Sequence, residues 1–262
     1  MSTNATVHKM EMAVVVKQEM IATDIFSMWI KTNLAKNAKA GQFVSLYSKN
    51  GATLLPRPIS ICEIDKEKNE LRLVYRVVGK GTDEFSKLTE GDKIKVLGPL
   101  GNGYTLKDKT AILTAGGSGV PPIVELAKEL KENFDCKLNI VVGYRDELFL
   151  LDELKKYGEV YISTEDGSVG TKGNVLDAIR ENNIKAEIVY SCGPMPMLRA
   201  IKQFAIENDI EAQISLEERM ACGVGACLGC VCKTKEKDEH THVNNTRICT
   251  DGPVFEAREV EI

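Results

Sequence analysis

Four cysteines stand at a spacing that suits iron. Cys222, Cys227 and Cys230 follow the pattern C-x4-C-x2-C, and Cys249 comes later within Arg-Ile-Cys-Thr-Asp-Gly. Two irons bridged by two sulfides need four thiolates, and this is the plant-type [2Fe–2S] ligand pattern. Gly223, Gly225 and Gly229 are expected to take backbone angles closed to other residues and so let backbone N–H groups approach the sulfurs. The chemistry expected is one-electron transfer. A structural zinc could instead draw on Cys227, Cys230, His240 and His242, but His-x-His is tighter than the usual gap and leaves Cys222 and Cys249 unused. A disulfide framework is a third possibility. Cys232, two residues beyond Cys230, could replace it as a ligand, although C-x2-C fits the pattern better and Cys232 is expected to pack inward.

Three further motifs suit phosphate and nucleotide chemistry. Gly116-Gly-Ser-Gly119 follows an apolar strand and precedes a helical pattern whose N-terminus would offer free N–H groups to a pyrophosphate. Such a turn is also often just a tight connection. Pro121 and Pro122 fit the first helical turn. In Arg57-Pro-Ile-Ser60 the planar guanidinium could grip a phosphate and Ser60 could bond a ring nitrogen, or Arg57 could simply face solvent. Cys192-Gly193-Pro194 closes a strand and is expected to face the same crevice as the glycine turn. No Ser/His/Asp set or paired carboxylates stand out, and His8, His240 and His242 are the three imidazoles. No catalytic acid–base residue is expected.

The elements around these motifs change rhythm along the chain. Short β-branched runs at 12–16, 43–47, 59–62, 71–75 and 93–97, punctuated by Gly, Pro, Asn and Asp, predict a small antiparallel barrel. A linker is expected over 99–110. Strands at 111–115, 138–142, 160–163 and 187–191 then alternate with helical spacing at 123–131, 148–156, 174–181 and 195–207. This predicts a parallel α/β sheet with its first strand central and the glycine turn at its carboxyl edge. The fold class is therefore α/β plus all-β, with domains over 1–105, 106–215 and a small cluster-binding segment over 216–262.

Composition sets bounds on partners. A chain of 262 residues, 43% hydrophobic and 27% charged, is long enough for two cored domains. A net charge of -4, with no basic run and a mixed-sign stretch at 233–239, argues against nucleic acid. No signal-like segment or long apolar run is present, so a cytoplasmic location is expected, with the eight cysteines reduced or bound to metal.

Arg57-Pro-Ile-Ser60, Gly81-Thr82, Gly116-Gly-Ser-Gly119 and Cys192-Gly-Pro194, in this order from about residue 10 to 215, resemble the ferredoxin-NADP reductase superfamily. With the C-terminal cysteines added, the chain resembles the electron-transfer subunits of type B dihydroorotate dehydrogenases. The resemblance implies FAD held by Arg57, Pro58, Ile59 and Ser60, flanked by Val74, Tyr75 and Arg76, and completed by Gly81 and Thr82. Thr82 is expected to N-cap a short helix starting at Asp83. The resemblance also implies NAD(H) framed by Gly117, Gly119, Cys192, Gly193 and Pro194, with Glu217 either at the nicotinamide end or a plain surface carboxylate. For NADH against NADPH, Arg145, Asp146 and Glu147 give mixed signals, and NADH is expected by resemblance. Electrons would pass between NAD(H) and an FMN-bearing subunit oxidising dihydroorotate to orotate in pyrimidine biosynthesis, through FAD and the cluster, in a heterotetramer of two of each subunit. The alternative is a flavin and iron–sulfur subunit of an NAD(P)H:ferredoxin oxidoreductase, a bifurcating complex or a sulfide dehydrogenase.

Overall fold

The computed structural model describes residues 9–50, 53–145, 147–237 and 242–262. His8, Asp146 and His240 lie outside them, and with them the full zinc alternative. Strands β1 (Lys9–Ala22), β2 (Ile25–Lys31), β3 (Phe43–Tyr47), β4 (Arg57–Asp65) and β5 (Glu70–Arg76) are followed by helix α1 (Lys80–Ser86) and strand β6 (Lys93–Leu100). The six strands close a barrel in the order β1-β2-β5-β4-β3-β6, every pair antiparallel. Its interior is filled by Met28, Ile30, Leu46, Ile61, Leu71, Leu73 and Val96. Strand β2 has no counterpart in the sequence reading. Both of its faces are covered, with Ser27 buried as the partner of Arg72, so the apolar alternation that marks a half-exposed strand is missing.

A second unit follows the barrel. It comprises β7 (Ala111–Gly116), α2 (Val120–Asn133), β8 (Leu138–Tyr144), α3 (Leu151–Leu154), β9 (Glu159–Thr164), β10 (Thr171–Lys172), α4 (Val175–Glu181), β11 (Ile188–Cys192), α5 (Met195–Glu207) and β12 (Glu211–Ser215). Helix α3 is a single turn, shorter than the helical spacing over 148–156 suggests. The C-terminal segment adds β13 (Val231–Thr234), β14 (Asn245–Arg247), β15 (Val254–Glu256) and β16 (Val260–Glu261). The large sheet runs β10-β9-β8-β7-β11-β12-β15, so the first strand of the unit is central, as expected. Its last strand comes from the cysteine-bearing segment and lies antiparallel to β12. Successive residues of β7 point to opposite faces, Leu113 into one apolar core and Ile112 into the other.

The seam between barrel and sheet is made by backbone groups needing partners. Strand β3 pairs with β4 only across Arg57–Ser60, which leaves the far half of β4 with an open edge. Helix α2 lies along that edge. Ile64 N–H donates to Glu125 Oε2 at 2.8 Å, Lys128 Nζ donates to the Ile64 carbonyl at 2.7 Å, and Ala40 N–H donates to Glu129 Oε1 at 3.2 Å. Arg72 on β5 bonds Glu63 at 2.5 Å and Glu153 of α3 at 3.0 Å.

Glu125 is 2% exposed, and this burial pushes its carboxyl up to about 8 against the opposing pull of Lys128 and the Ile64 N–H. Folded protein therefore keeps a proton that the unfolded chain releases near the ordinary value of 4.5. The associated stability is full below that value and is lost as pH rises towards about 8. Glu125→Gln keeps an acceptor for Ile64 but cannot ionise. Denaturant unfolding across this interval should show a shallower fall of stability with pH in the variant, by up to about 1.4 kcal/mol per pH unit.

Candidate redox site

The loop before β13 wraps the cysteine sulfurs in backbone N–H groups. Val224 N–H points at Cys222 Sγ (3.4 Å), Gly225 N–H at Cys249 Sγ (3.2 Å), Gly229 N–H at Cys227 Sγ (3.4 Å) and Cys249 N–H at Cys230 Sγ (3.4 Å). Gly223 and Gly225 take φ of 70° and 80°, as expected. Gly229 does not. The left-handed residue there is Leu228 (φ 55°), and Gly229 serves by close approach, since a Cβ on it would lie 3.4 Å from Cys227 Sγ.

The four thiols fall into two pairs. Cys222 neighbours Cys227, and Cys230 neighbours Cys249. Two pairs suit two irons taking two thiolates each. Among the described residues no group of three or more His, Cys, Asp or Glu is arranged to hold a single metal ion. Burial would raise the Cys222 thiol, but N–H groups of Val224, Cys227 and Ala226 and the Cys227 side chain outweigh it and bring it down to about 6. Cys249 is pushed up to about 12 by burial and by Cys230 beside it. A bound cation would supply the charge that this buried thiolate lacks. Cys232 is half-buried, its thiol raised to about 11 by burial, and packs against the apolar cluster that holds Cys230.

A groove of about 450 Å³ runs along the barrel, bordered by Arg57, Pro58, Ile59, Ser60, Val74, Tyr75, Arg76 and Thr82. Gly81 lies under Arg57, for a Cβ there would sit 2.8 Å from its Nε. Arg57 Nη1 also donates to the Leu55 carbonyl at 2.5 Å, which fixes the fork over the groove. Tyr75 keeps its ring in the barrel, stacked on Phe26 and edge-on to Phe85, with its hydroxyl donating to Gln18. Thr82 is not an N-cap. Helix α1 is capped at Gly79, and Thr82 sits in its first turn, where the hydroxyl accepts from Val78 N–H (3.0 Å) and Gly79 N–H (3.2 Å). The helix begins earlier than its acidic residues suggest, because Lys80-Gly81 continue the turn. This largely apolar, glycine-floored groove, with Arg57 and Arg76 on its border, fits a flavin dinucleotide.

A second groove of about 450 Å³ opens at the carboxyl edge of the sheet, bordered by Gly116, Gly117, Gly143, Arg145, Ser163, Glu165 and Pro194. Gly119, Cys192 and Gly193 form the packed joint behind it. A Cβ on Gly119 would lie 2.1 Å from the Cys192 carbonyl oxygen, and one on Gly193 would lie 2.5 Å from Met197 Cε. Ser163 was not foreseen. It is fully buried on the groove lining and its Oγ has no hydrogen-bond partner, a vacancy that a nucleotide hydroxyl suits. Nothing in the sequence distinguishes it from any strand serine. Glu147 is occupied, accepting from Thr23 N–H (2.6 Å) and Thr23 Oγ1 (2.5 Å), whereas Arg145 faces Glu165 at 3.9 Å.

Glu217 stands where the grooves meet. It borders the barrel groove and accepts from Ser118 of the glycine turn at 3.3 Å. Its side chain is exposed, and the protein packed around the carboxyl raises it above the usual range against the pull of the Ser118 hydroxyl.

A barrel joined to a parallel dinucleotide sheet, with paired thiols beyond, defines a ferredoxin-reductase-like flavoprotein with an iron–sulfur segment. Family models match all three parts: oxidoreductase FAD-binding domain over 12–104, oxidoreductase NAD-binding domain over 113–203, and iron–sulfur cluster binding domain of dihydroorotate dehydrogenase B over 217–261. The chain is 47% identical to the dihydroorotate dehydrogenase B (NAD(+)) electron transfer subunit of Fusobacterium nucleatum subsp. nucleatum, over 97% of this chain and 99% of that one. It is 43% identical to the corresponding subunit of Streptococcus pneumoniae, over 94% and 96%. Among solved structures it is similar to an NADH-dependent reduced ferredoxin-NADP oxidoreductase studied for flavin-based electron bifurcation, with TM-score 0.85 and 31% identity over 95% of this chain and 89% of that chain. The chain belongs to the family of dihydroorotate dehydrogenase B electron transfer subunits. It is an oxidoreductase component that uses FAD, NAD and an iron–sulfur cluster. No helix among the described residues is long and apolar enough to cross a membrane.

Replacing Cys222, Cys227, Cys230 or Cys249 with Ser should remove most of the visible absorption of the cluster, while Cys232→Ser should retain it; spectra and iron content of the purified variants read this directly. Ser163→Ala should weaken NADH binding by about 0.5–1.5 kcal/mol, roughly two- to ten-fold in Kd, without lowering the stability of the nucleotide-free protein. Titration and thermal unfolding report the two quantities separately.

Proposed function

We propose that this chain carries electrons between NAD(H) and an FMN-bearing catalytic subunit that oxidises dihydroorotate to orotate, in a complex of two subunits of each kind. Cys222, Cys227, Cys230 and Cys249 hold a [2Fe–2S] cluster. FAD and the cluster together supply the exchange between a two-electron hydride and single electrons. The observation that carries the proposal is one groove bordered by all three units: Arg57 and Ser60 from the barrel, Ser118 from the glycine turn, and Met220 and Pro253 from the cysteine-bearing segment.

Each residue set has a positioning task. Arg57 binds a phosphate of FAD with its charge-assisted fork, and Gly81 keeps the floor beneath that fork clear. Ser60 orients the ring system. Gly117 and Pro194 shape the nicotinamide approach, with Gly119, Cys192 and Gly193 holding that wall rigid from behind. Ser118 and Glu217 tie the glycine turn to the segment that enters the cysteine loop. Glu165 faces Arg145 and so competes with a 2′-phosphate for that cation, which supports NADH as the nucleotide. A cytoplasmic setting suits the eight free thiols.

The test separates the halves of the electron path. In the reconstituted complex, a cluster-ligand variant that still folds should let NADH reduce FAD in stopped flow yet fail to reduce the partner's FMN. Normal FMN reduction in the cluster-free complex would mean direct flavin-to-flavin transfer. Service to a bifurcating ferredoxin oxidoreductase instead would leave the dihydroorotate-dependent reduction of NAD absent.

A further inference from the structure

We infer that electrons cross between the barrel groove and the cluster through Phe43 and the turn 249–253, and that Asn102 is the residue positioning this turn. The inference rests on FAD filling the barrel groove and on Cys249 being a cluster ligand.

Phe43 is shared by both sites, together with Leu216 and Met220 of the segment that leads into the cysteine loop. On β3 its neighbours Val44 and Leu46 belong to the barrel core, whereas Phe43 points the other way, into the apolar cluster of Cys230, Ile248 and Cys249. Its cross-strand partners are Ser60 on the groove side and Leu100 on the other. Phe43 also borders the groove, as does Pro253. The two rings close over Gly101, where a Cβ would lie 2.5 Å from Pro253 Cδ and 3.1 Å from Phe43 Cε1.

From Pro253 the backbone returns to Cys249, and Asn102 pins that stretch. Its N–H donates to the Gly252 carbonyl at 2.6 Å, and its side-chain amide donates to the carbonyls of Thr250 (3.1 Å) and Asp251 (3.0 Å). Leu216 N–H holds the Pro253 carbonyl at 2.9 Å. Electron transfer weakens steeply across empty gaps and less across bonded or closely packed atoms, so a packed ring leading into a short covalent path is the favoured crossing. From NADH, the two electrons of a hydride cross singly. With FAD and the cluster bound, this route would carry each electron in turn towards the partner's FMN, and the hydride's proton would go to water.

Flash photoreduction of the full chain, anaerobic and loaded with FAD and iron, places one electron on the flavin and follows its passage to the cluster without the hydride step. Phe43→Leu and Asn102→Ala should slow this passage roughly five-fold or more by loosening the packed route. In Asn102→Ala, flavin reduction by NADH and the circular dichroism of the cluster should hold steady. Tyr47→Leu, on the same outer face of β3 but away from the groove, should pass electrons at the normal rate. Unchanged passage in both variants with cofactors retained would overturn the inference, as would loss of the cluster from both, which would make the role structural. If Phe43→Leu sheds FAD, Asn102→Ala, outside the groove lining, decides alone. An unmodified chain binding neither flavin nor iron would sink the functional reading beneath it.

Discussion

The arrangement depends on what happens at the open edge of β4. Hydride and electron transfer both work only over short distances, so barrel, sheet and cluster segment must be held in one relation. Where β3 stops pairing, β4 exposes N–H and C=O groups that need partners, and α2 of the neighbouring unit supplies them through Glu125 and Lys128. A backbone requirement of one unit is met by side chains of the other. Burying a carboxyl there is costly, and the raised proton affinity of Glu125 is the sign of that cost. The glycine turn opens α2, so the helix that grips the barrel edge is also the helix that sets where the dinucleotide lies.

The cysteine loop solves a related problem. Thiols must become thiolates to bind iron, and N–H groups point at all four sulfurs, three from the loop and one from Cys249 itself. The sulfurs are unequal. Cys227 is exposed and Cys222 partly so, while Cys230 and Cys249 are buried. Within this set backbone N–H groups bring the Cys222 thiol down, whereas burial pushes the Cys249 thiol up.

Much of this was legible in the chain because it rests on local patterns. Short β-branched runs marked the barrel, the strand–helix rhythm marked the sheet, and cysteine spacing marked the cluster loop. Features fixed by tertiary contact were not. Strand β2 is covered on both faces and carries Ser27 as a buried partner of Arg72, so its alternation is lost. Thr82 looked like a cap because helix starts are read from acidic residues, whereas Gly79 begins this one. Ser163 on β9 became visible only when β8 and β10 flanked it, and the commitment of Glu147 to Thr23 joins residues distant in sequence. Leu228 taking the left-handed angle beside Gly229 follows from loop closure, not from residue preference.

The pairing of β15 with β12 has a consequence for synthesis. A chain leaving the ribosome can fold the barrel early, but the outer rim of its nucleotide-binding sheet stays uncovered until residues beyond all four cysteines have emerged. Completion of that sheet and delivery of the whole ligand set thus coincide. A chain lacking 254–256 would carry every one of the eight thiols and still display an unpaired edge on β12, a template for pairing with other chains.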